Sequence, residues 1–293
     1  VLARITDIQN EIDHGLPRLS PSLLQQWAGK TPWESDTNRS HRISVFRGLS
    51  LYMSRMGYEA VAVPARFASL KDYTYAPYIF SEAELGLLVS TTDRLCVKGI
   101  SDRSNLVFPL LLRLLIGCGL RITETLNIEK KDVDVESGRV VLLHAKNRKQ
   151  RIVPMAPTLV SRCRQYAADS QGTRGFVGAP WFLPNKDGTP YRAGTAYCFF
   201  RQVLRVAGIS HGGRGKGPRL HDLRHTFAVR LLNKWVQEGK NLTTALPYLA
   251  IYMGHEGLKA SEHYLRLTAR MFPELVKAAE KKYGWVIPEG YHE

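Results

Sequence analysis

At 293 residues, 44% of them hydrophobic, the chain has room for a sizeable core and for one large domain or, on the pattern below, two. Forty-one Lys and Arg against 26 Asp and Glu give a formal charge of +15, a balance that suits a polyanionic partner, nucleic acid first, over a merely basic soluble protein. The four cysteines, Cys96, Cys118, Cys163 and Cys198, are far apart and form no CxxC pair, which argues against a disulfide framework or a zinc knuckle and fits a reducing cytosol.

Residues 1–64 read as a helical, basic unit. Ser20-Pro21 has the pattern of an N-cap followed by proline in the first helical turn, leading into Leu23, Leu24 and Trp27. A longer helical pattern covers residues 36–58, with Ile43, Phe46, Leu49, Tyr52, Met53 and Met56 on one face. Arg39, Arg42, Arg47 and Arg55 lie off that face, as a solvated surface or a phosphate-contacting one. Residues 65–77, with three tyrosines near the end, break the pattern and read as a linker. Ser81 and Glu84 then form a capping box, in which each side chain satisfies the other's backbone N–H, so a helix and a second unit begin near residue 82.

The most apolar run, residues 107–120, contains Pro109 and Arg113 and is too short to span a bilayer. It reads as a buried helix ending in a Gly-Cys-Gly turn, with a new helix starting near Arg121. An arginine following glycines at a sharp turn is an odd place for a solvated side chain and a good one for presenting a guanidinium from a rigid base. Residues 139–144 and 151–155 read as a β-hairpin whose tip carries Lys146, Arg148, Lys149 and Arg151, a basic cluster made for solubility or for probing a groove. Helices follow near residues 158–169 and 194–207, the latter with Tyr197, Phe200, Val203 and Leu204 inward. The glycine-rich stretch 208–218, with Arg214 and Lys216, reads as a mobile basic loop; it is no P-loop, because Gly215-Lys216 precedes glycine rather than Ser or Thr. The next helix opens at Arg219 with Leu220, Leu223, Phe227, Ala228, Leu231 and Leu232 inward, and a polar turn is expected over residues 235–244. Met253-Gly254-His255 and Tyr264 come next, then a basic amphipathic helix over residues 273–283. No signal peptide is read at the front, and the start at Val1 rather than Met reads as an internal start.

Two chemistries compete for the helix from Arg219. His221 and His225, four apart with Asp222 between them, superficially match a zinc HExxH motif, and a metallohydrolase follows from that reading. Against it stand the shorter Asp, the cation of Arg224 and the lack of a third ligand at a known spacing. A phosphate reading gathers more of the chain: Arg121, Lys146, His221, Arg224 and His255 are all cationic or proton-carrying groups, with Tyr264 a candidate nucleophile. Guanidinium groups fixed in advance stabilise the charge that grows on a phosphodiester's non-bridging oxygens in the transition state, with no metal required.

The chain resembles the tyrosine recombinases of the phage integrase family. The motifs are Cys118-Gly-Leu-Arg121-Ile-Thr-Glu124, the hairpin from Lys146 to Pro154, His221-Asp-Leu-Arg224-His-Thr-Phe, Met253-Gly-His255 and Tyr264, in the family's order over about residues 78–270. The segment 246–249 before the Gly-His is similar to transposon and plasmid integrases within it. The resemblance implies a mainly α fold with a small β-hairpin or sheet, built as a two-domain DNA clamp. Its parts would be a helical, SAM-like core-binding domain (1–64), a linker (65–77) and a catalytic domain with a C-terminal helix and tail (78–293). By the same resemblance Arg121 and Arg224 clamp the scissile phosphate, and His221 assists proton transfer from the nucleophile. His255 hydrogen-bonds a phosphate oxygen, Lys146 is the general acid and Tyr264 forms a 3′-phosphotyrosine link. Lys149 shares the tip with Lys146, but the spacing to Pro154 favours Lys146. Glu124 braces the site, and His225 has a structural role.

Arg39, Arg42, Arg47, Arg148, Lys149, Arg151, Arg214 and Lys216 are the further candidates for DNA contact. The implied partners are double-stranded DNA, a homotetramer on two paired sites and, as optional helpers, DNA-bending accessory proteins; no membrane, metal or nucleotide cofactor is expected. Two other activities stay open beside recombination: relaxation of the type IB topoisomerase kind, and DNA binding without catalysis by a regulator of the same fold.

Overall fold

A computed structural model describes residues 5–7, 10, 17–64, 77–95, 104–143, 150–173, 175–213 and 217–254. Lys146, Arg148, Lys149, Arg214, Lys216, His255, Tyr264 and the expected helix over residues 273–283 lie outside the described residues. The chain divides into two compact units, Val1–Tyr75 and Ala76–Glu293.

In the first unit, α1 (Pro21–Ala28) begins where Ser20 accepts a hydrogen bond from Leu23 N, and α2 (Asp36–Arg55) begins under a Ser35 cap. Leu23, Leu24 and Trp27 of α1 pack on Ile43 and Phe46 of α2 in a small core of their own. The helical pattern read to residue 58 stops at Arg55, and both Tyr52, inside the helix, and Met56, just past it, are exposed rather than inward. Arg42 is a larger correction. It is buried, its Nε and Nη2 donate to both oxygens of Glu34 at 2.9 and 2.7 Å, and Nη2 also donates to Gly29 O. With its guanidinium 5.0 Å from the Trp27 ring centroid, Arg42 holds the unit together from inside and is not placed to meet a phosphate. Arg39 is half-buried and its Nε donates to Ala28 O at the end of α1; Arg47 is half-buried as well.

In the second unit, α3 (Glu82–Arg94) starts at the Ser81–Glu84 capping box. The apolar α4 (Ser104–Cys118) carries the core: Val107, Phe108, Leu111, Leu114 and Leu115 are all buried. Gly119 takes φ +59°, a left-handed turn residue that ends α4 and lets the chain enter α5 (Ile122–Leu126) three residues later. A three-stranded antiparallel sheet follows in the order β1 (Val133–Asp134), β2 (Arg139–Leu142), β3 (Arg151–Pro154), with Val140 opposite Val153 and Leu142 opposite Arg151. The two hairpin strands pair as read but end earlier, at Leu142 and Pro154, and β1 is an addition. Asp134 takes backbone N–H groups of Glu136 and Ser137 in a tight turn that a short Asp-to-Gly stretch does not announce as a strand end.

Two helices, α6 (Pro157–Ser170) and α7 (Ala193–Val206), close over the core. On α7 Phe200 is buried as read and Phe199 joins it, stacked on Phe108 at 4.0 Å between centroids, whereas Tyr197 is 40% exposed. The helix α8 (Leu220–Gln237) runs on past the polar turn expected from residue 235, and α9 (Leu242–Met253) packs against it through Ala228, Val229, Leu232, Leu249 and Met253. Leu220, Phe227 and Leu231 are only half-buried, whereas Ala228 and Val229 are fully buried. No described helix is long and apolar enough to cross a membrane.

Candidate phosphate-binding site

Four separate segments meet at Arg121 and Arg224. Arg121 is the residue before α5, with extended backbone angles (φ −75°, ψ 146°) that turn its side chain out of the helix path. Its backbone N–H donates to Glu124 Oε2 at 2.9 Å and its Nη1 to Glu124 Oε1 at 2.7 Å, while Nη2 reaches Gly254 O at 3.1 Å. Arg224 sits one turn into α8 and is 2% exposed, an unusual depth for a guanidinium. Its Nη1 donates to Gly119 O at 2.7 Å and its Nη2 to Met253 O. The turn after α4 and the end of α9 thus supply carbonyls that aim both arginines, and the α8–α9 packing holds those carbonyls in place. Tyr252 adds a tie between the same two segments, its hydroxyl donating to Cys118 O at 3.3 Å.

Glu124 is almost fully buried, yet its carboxyl is held down at about 2. Burial alone raises it; that effect is outweighed by hydrogen bonds from Arg151 and from the Arg121 backbone, and by the charges beside it. Arg151 donates to both Glu124 oxygens, at 3.1 and 2.7 Å. This corrects the reading of Arg151 as a DNA contact: its side chain is 7% exposed and points inward from β3, on the same face as the buried Val153. The signal that could have found it is register. Val140 and Leu142 face the core, and pairing puts Arg151 directly opposite Leu142.

His221 lies one turn before Arg224 and keeps an exposed edge. The protein packed around the rest of its ring, together with the charges of Arg224 and Arg121, pushes its pKa down to about 4. The imidazole is therefore neutral at pH 7. His225 is its ring neighbour, edge-on with 4.8 Å between centroids. Asp222, read as the base of a zinc motif, accepts the Arg219 N–H at 2.8 Å and starts α8 instead. Among the described residues no three His, Cys, Asp or Glu side chains gather as a metal site would need.

The Phage integrase family model matches residues 82–271. A Sinorhizobium fredii integrase/recombinase, y4rE, is 31% identical over 84% of this chain and 77% of its own. The tyrosine recombinase XerC of Staphylococcus saprophyticus is 29% identical over 79% and 71%, respectively. Among solved structures, the Tn1549 transposon integrase in complex with transposon right end DNA superposes with a TM-score of 0.64 at 18% identity, over 93% of this chain and 91% of that one. That last likeness is one of fold.

Proposed function

The chain belongs to the phage integrase family and is a site-specific DNA recombinase of the tyrosine class, and from that premise we propose that Arg121 and Arg224 receive the scissile phosphate and that His221 assists proton transfer from the nucleophile. Tyr264 is the nucleophile, Lys146 the general acid and His255 a further donor to a phosphate oxygen. The observation that carries the proposal is that both guanidiniums are anchored on the carbonyls of Met253 and Gly254, immediately before His255. One element therefore sets the arginines and leads directly into the next motif residue.

The step balances without a cofactor. The Tyr264 oxygen bonds to phosphorus as the bond from phosphorus to the 5′-oxygen breaks. The phenol's proton passes to neutral His221, and the departing 5′-oxygen takes a proton from Lys146. A phenol with a pKa near 10 needs that acceptor. Charge building on the non-bridging oxygens is met by arginines whose positions were settled on folding, so little reorganisation remains for the reaction itself. Because a phosphotyrosine ester stores the energy of the broken bond, a 5′-hydroxyl from a second strand can reverse the step and complete an exchange.

We assign residues 1–64 to a core-binding DNA domain, 65–77 to the linker and 78–293 to the catalytic domain; the two compact units support this division. Double-stranded DNA is the partner, with Arg39, Arg47, Arg148, Lys149, Arg214 and Lys216 as backbone contacts. The working assembly is a tetramer on two paired sites, associated with the nucleoid, with DNA-bending proteins as helpers.

The test is covalent trapping on nicked duplexes that carry a site the protein binds, in EDTA. A DNA-linked band on a denaturing gel that disappears in Tyr264→Phe is expected. Tight binding without a band would favour a non-catalytic regulator, and cleavage that needs zinc and leaves no linked protein would return the His221 helix to the metal reading.

A further inference from the structure

One buried cation lies behind the phosphate site rather than in it. Arg151 opens β3, anchored in the sheet opposite Leu142, while Arg121 precedes a helix of only five residues. So short a helix is a weak base for a side chain that must be held to within a fraction of an ångström. Between the two lies Glu124, which accepts two hydrogen bonds from the Arg151 guanidinium and two from Arg121, one of them from its backbone. Arg121 is the most exposed of the three side chains, at 22%, against 3% for Glu124 in the middle and 7% for Arg151 behind it.

Resting on the function proposed above, we propose that Arg151 is a positioning residue for Arg121: it clamps Glu124 with a two-pronged grip, so that the carboxylate fixes Arg121 without neutralising it.

Charge count gives the physical reason. Arg121 paired with Glu124 alone would be a neutral pair, and a neutral pair attracts a phosphate weakly. With Arg151 sharing the carboxylate, the three groups carry one net positive charge, and the most exposed member is Arg121. The fork matters as much as the charge, since only a guanidinium meets both carboxylate oxygens in parallel. Arg151 also packs directly against Gly254: a Cβ built there would lie 2.8 Å from its Nη1. Gly254 supplies the carbonyl that holds Arg121 Nη2, so Arg151 touches both of the groups that aim Arg121.

The experiment compares Arg151→Gln, Arg151→Lys, Glu124→Gln and the double variant Arg151→Gln/Glu124→Gln with the unaltered chain in single-turnover cleavage. Each is run on an ordinary nicked duplex and on one with sulfur as the 5′-bridging atom, a leaving group that needs no proton. Arg151→Gln should slow cleavage by about 100-fold, the cost of displacing a catalytic group by about an ångström, with DNA affinity changed less than threefold. Sulfur should not restore it, whereas the same substrate should rescue Lys146→Ala. Arg151→Lys should recover part of the rate, having the charge but not the fork. The double variant should be no slower than Arg151→Gln, because removing the carboxylate's charge frees Arg121.

Rescue of Arg151→Gln by sulfur, additive slowing in the double variant, or cleavage within threefold of the unaltered chain would each overturn the proposal. If Arg151→Gln does not fold, judged by its melting transition, Arg151→Lys and the sulfur substrate carry the same decision. If the unaltered chain forms no DNA-linked band, the recombinase chemistry itself fails and this proposal goes with it.

Discussion

Replacing Gly119 by alanine tests whether the turn after α4 is the base of the site. Its φ of +59° is one that an L side chain adopts only at a cost of about 1–2 kcal/mol. Space adds a second penalty. A Cβ at Gly119 would lie 2.4 Å from Phe227 Cδ1 and 2.8 Å from its Cγ, so the ring has to move. That ring stacks on Tyr252 with 5.4 Å between centroids and 17° between planes, and forcing it aside adds about 1–3 kcal/mol of overpacking. The sum for Gly119→Ala is about 2–5 kcal/mol. Gly172→Ala is the control: φ there is +73°, but nothing lies within 4 Å of the added carbon, so only the conformational part should appear. Urea denaturation followed by circular dichroism should show the Gly119 variant losing at least about 1 kcal/mol more than the Gly172 variant. The Gly119 carbonyl also receives Arg224 Nη1, so cleavage should fall further than the stability loss explains when assayed well below the melting transition. Equal losses in the two variants, or full cleavage activity in Gly119→Ala, would refute the view that this turn sets Arg224.

Three further outcomes follow from the same geometry. With its folded pKa lowered to about 4, His221 binds fewer protons than it would in the unfolded chain, so its contribution to stability is intact above about pH 6.5 and is lost as pH falls toward 4. Glu124 titrates lower, its carboxyl moved from 4.5 to about 2, so between pH 6.5 and 4.5 the chain with His221→Asn should show a shallower loss in chemical denaturation than the unaltered chain. Burial pushes the thiols of Cys118 and Cys163 up to about 12 and 11, whereas Cys198 is exposed. Iodoacetamide at pH 8 should therefore label Cys198 and leave Cys118 and Cys163 unmodified by mass spectrometry. Binding to any duplex should weaken steeply with salt, with log affinity linear in log salt concentration. Substituting Arg148 or Lys149 with alanine should lower that slope by about one for each phosphate that is no longer neutralised; an unchanged slope would remove those residues from the interface.

Helix positions were legible, as was the placing of Arg121 at a turn and of His221 and Arg224 on one helix, because periodicity and turn chemistry are local. The Ser81–Glu84 box starts α3 from four consecutive residues, and glycines at the end of an apolar run stop α4. What holds the arginines was not legible, because their partners are backbone carbonyls. Gly119 O and Met253 O are acceptors that any residue would offer, and only the fold brings them to Arg224 from 105 and 29 residues away. The two misread arginines fail for a related reason. Arg42 and Arg151 look like surface cations in a chain of charge +15, and both turn inward because each meets a carboxylate that needs them. A buried charge is tolerated only when paired, so the informative residues were the acids. Glu34 lies eight residues before Arg42, within reach of local reading. Glu124 lies 27 residues before Arg151 and reaches it only through sheet register. A buried carboxylate is thus the signal for an arginine that turns inward, as Glu34 is for Arg42 and Glu124 for Arg151; Arg121, which shares Glu124, stays the more exposed of its two arginines at 22%.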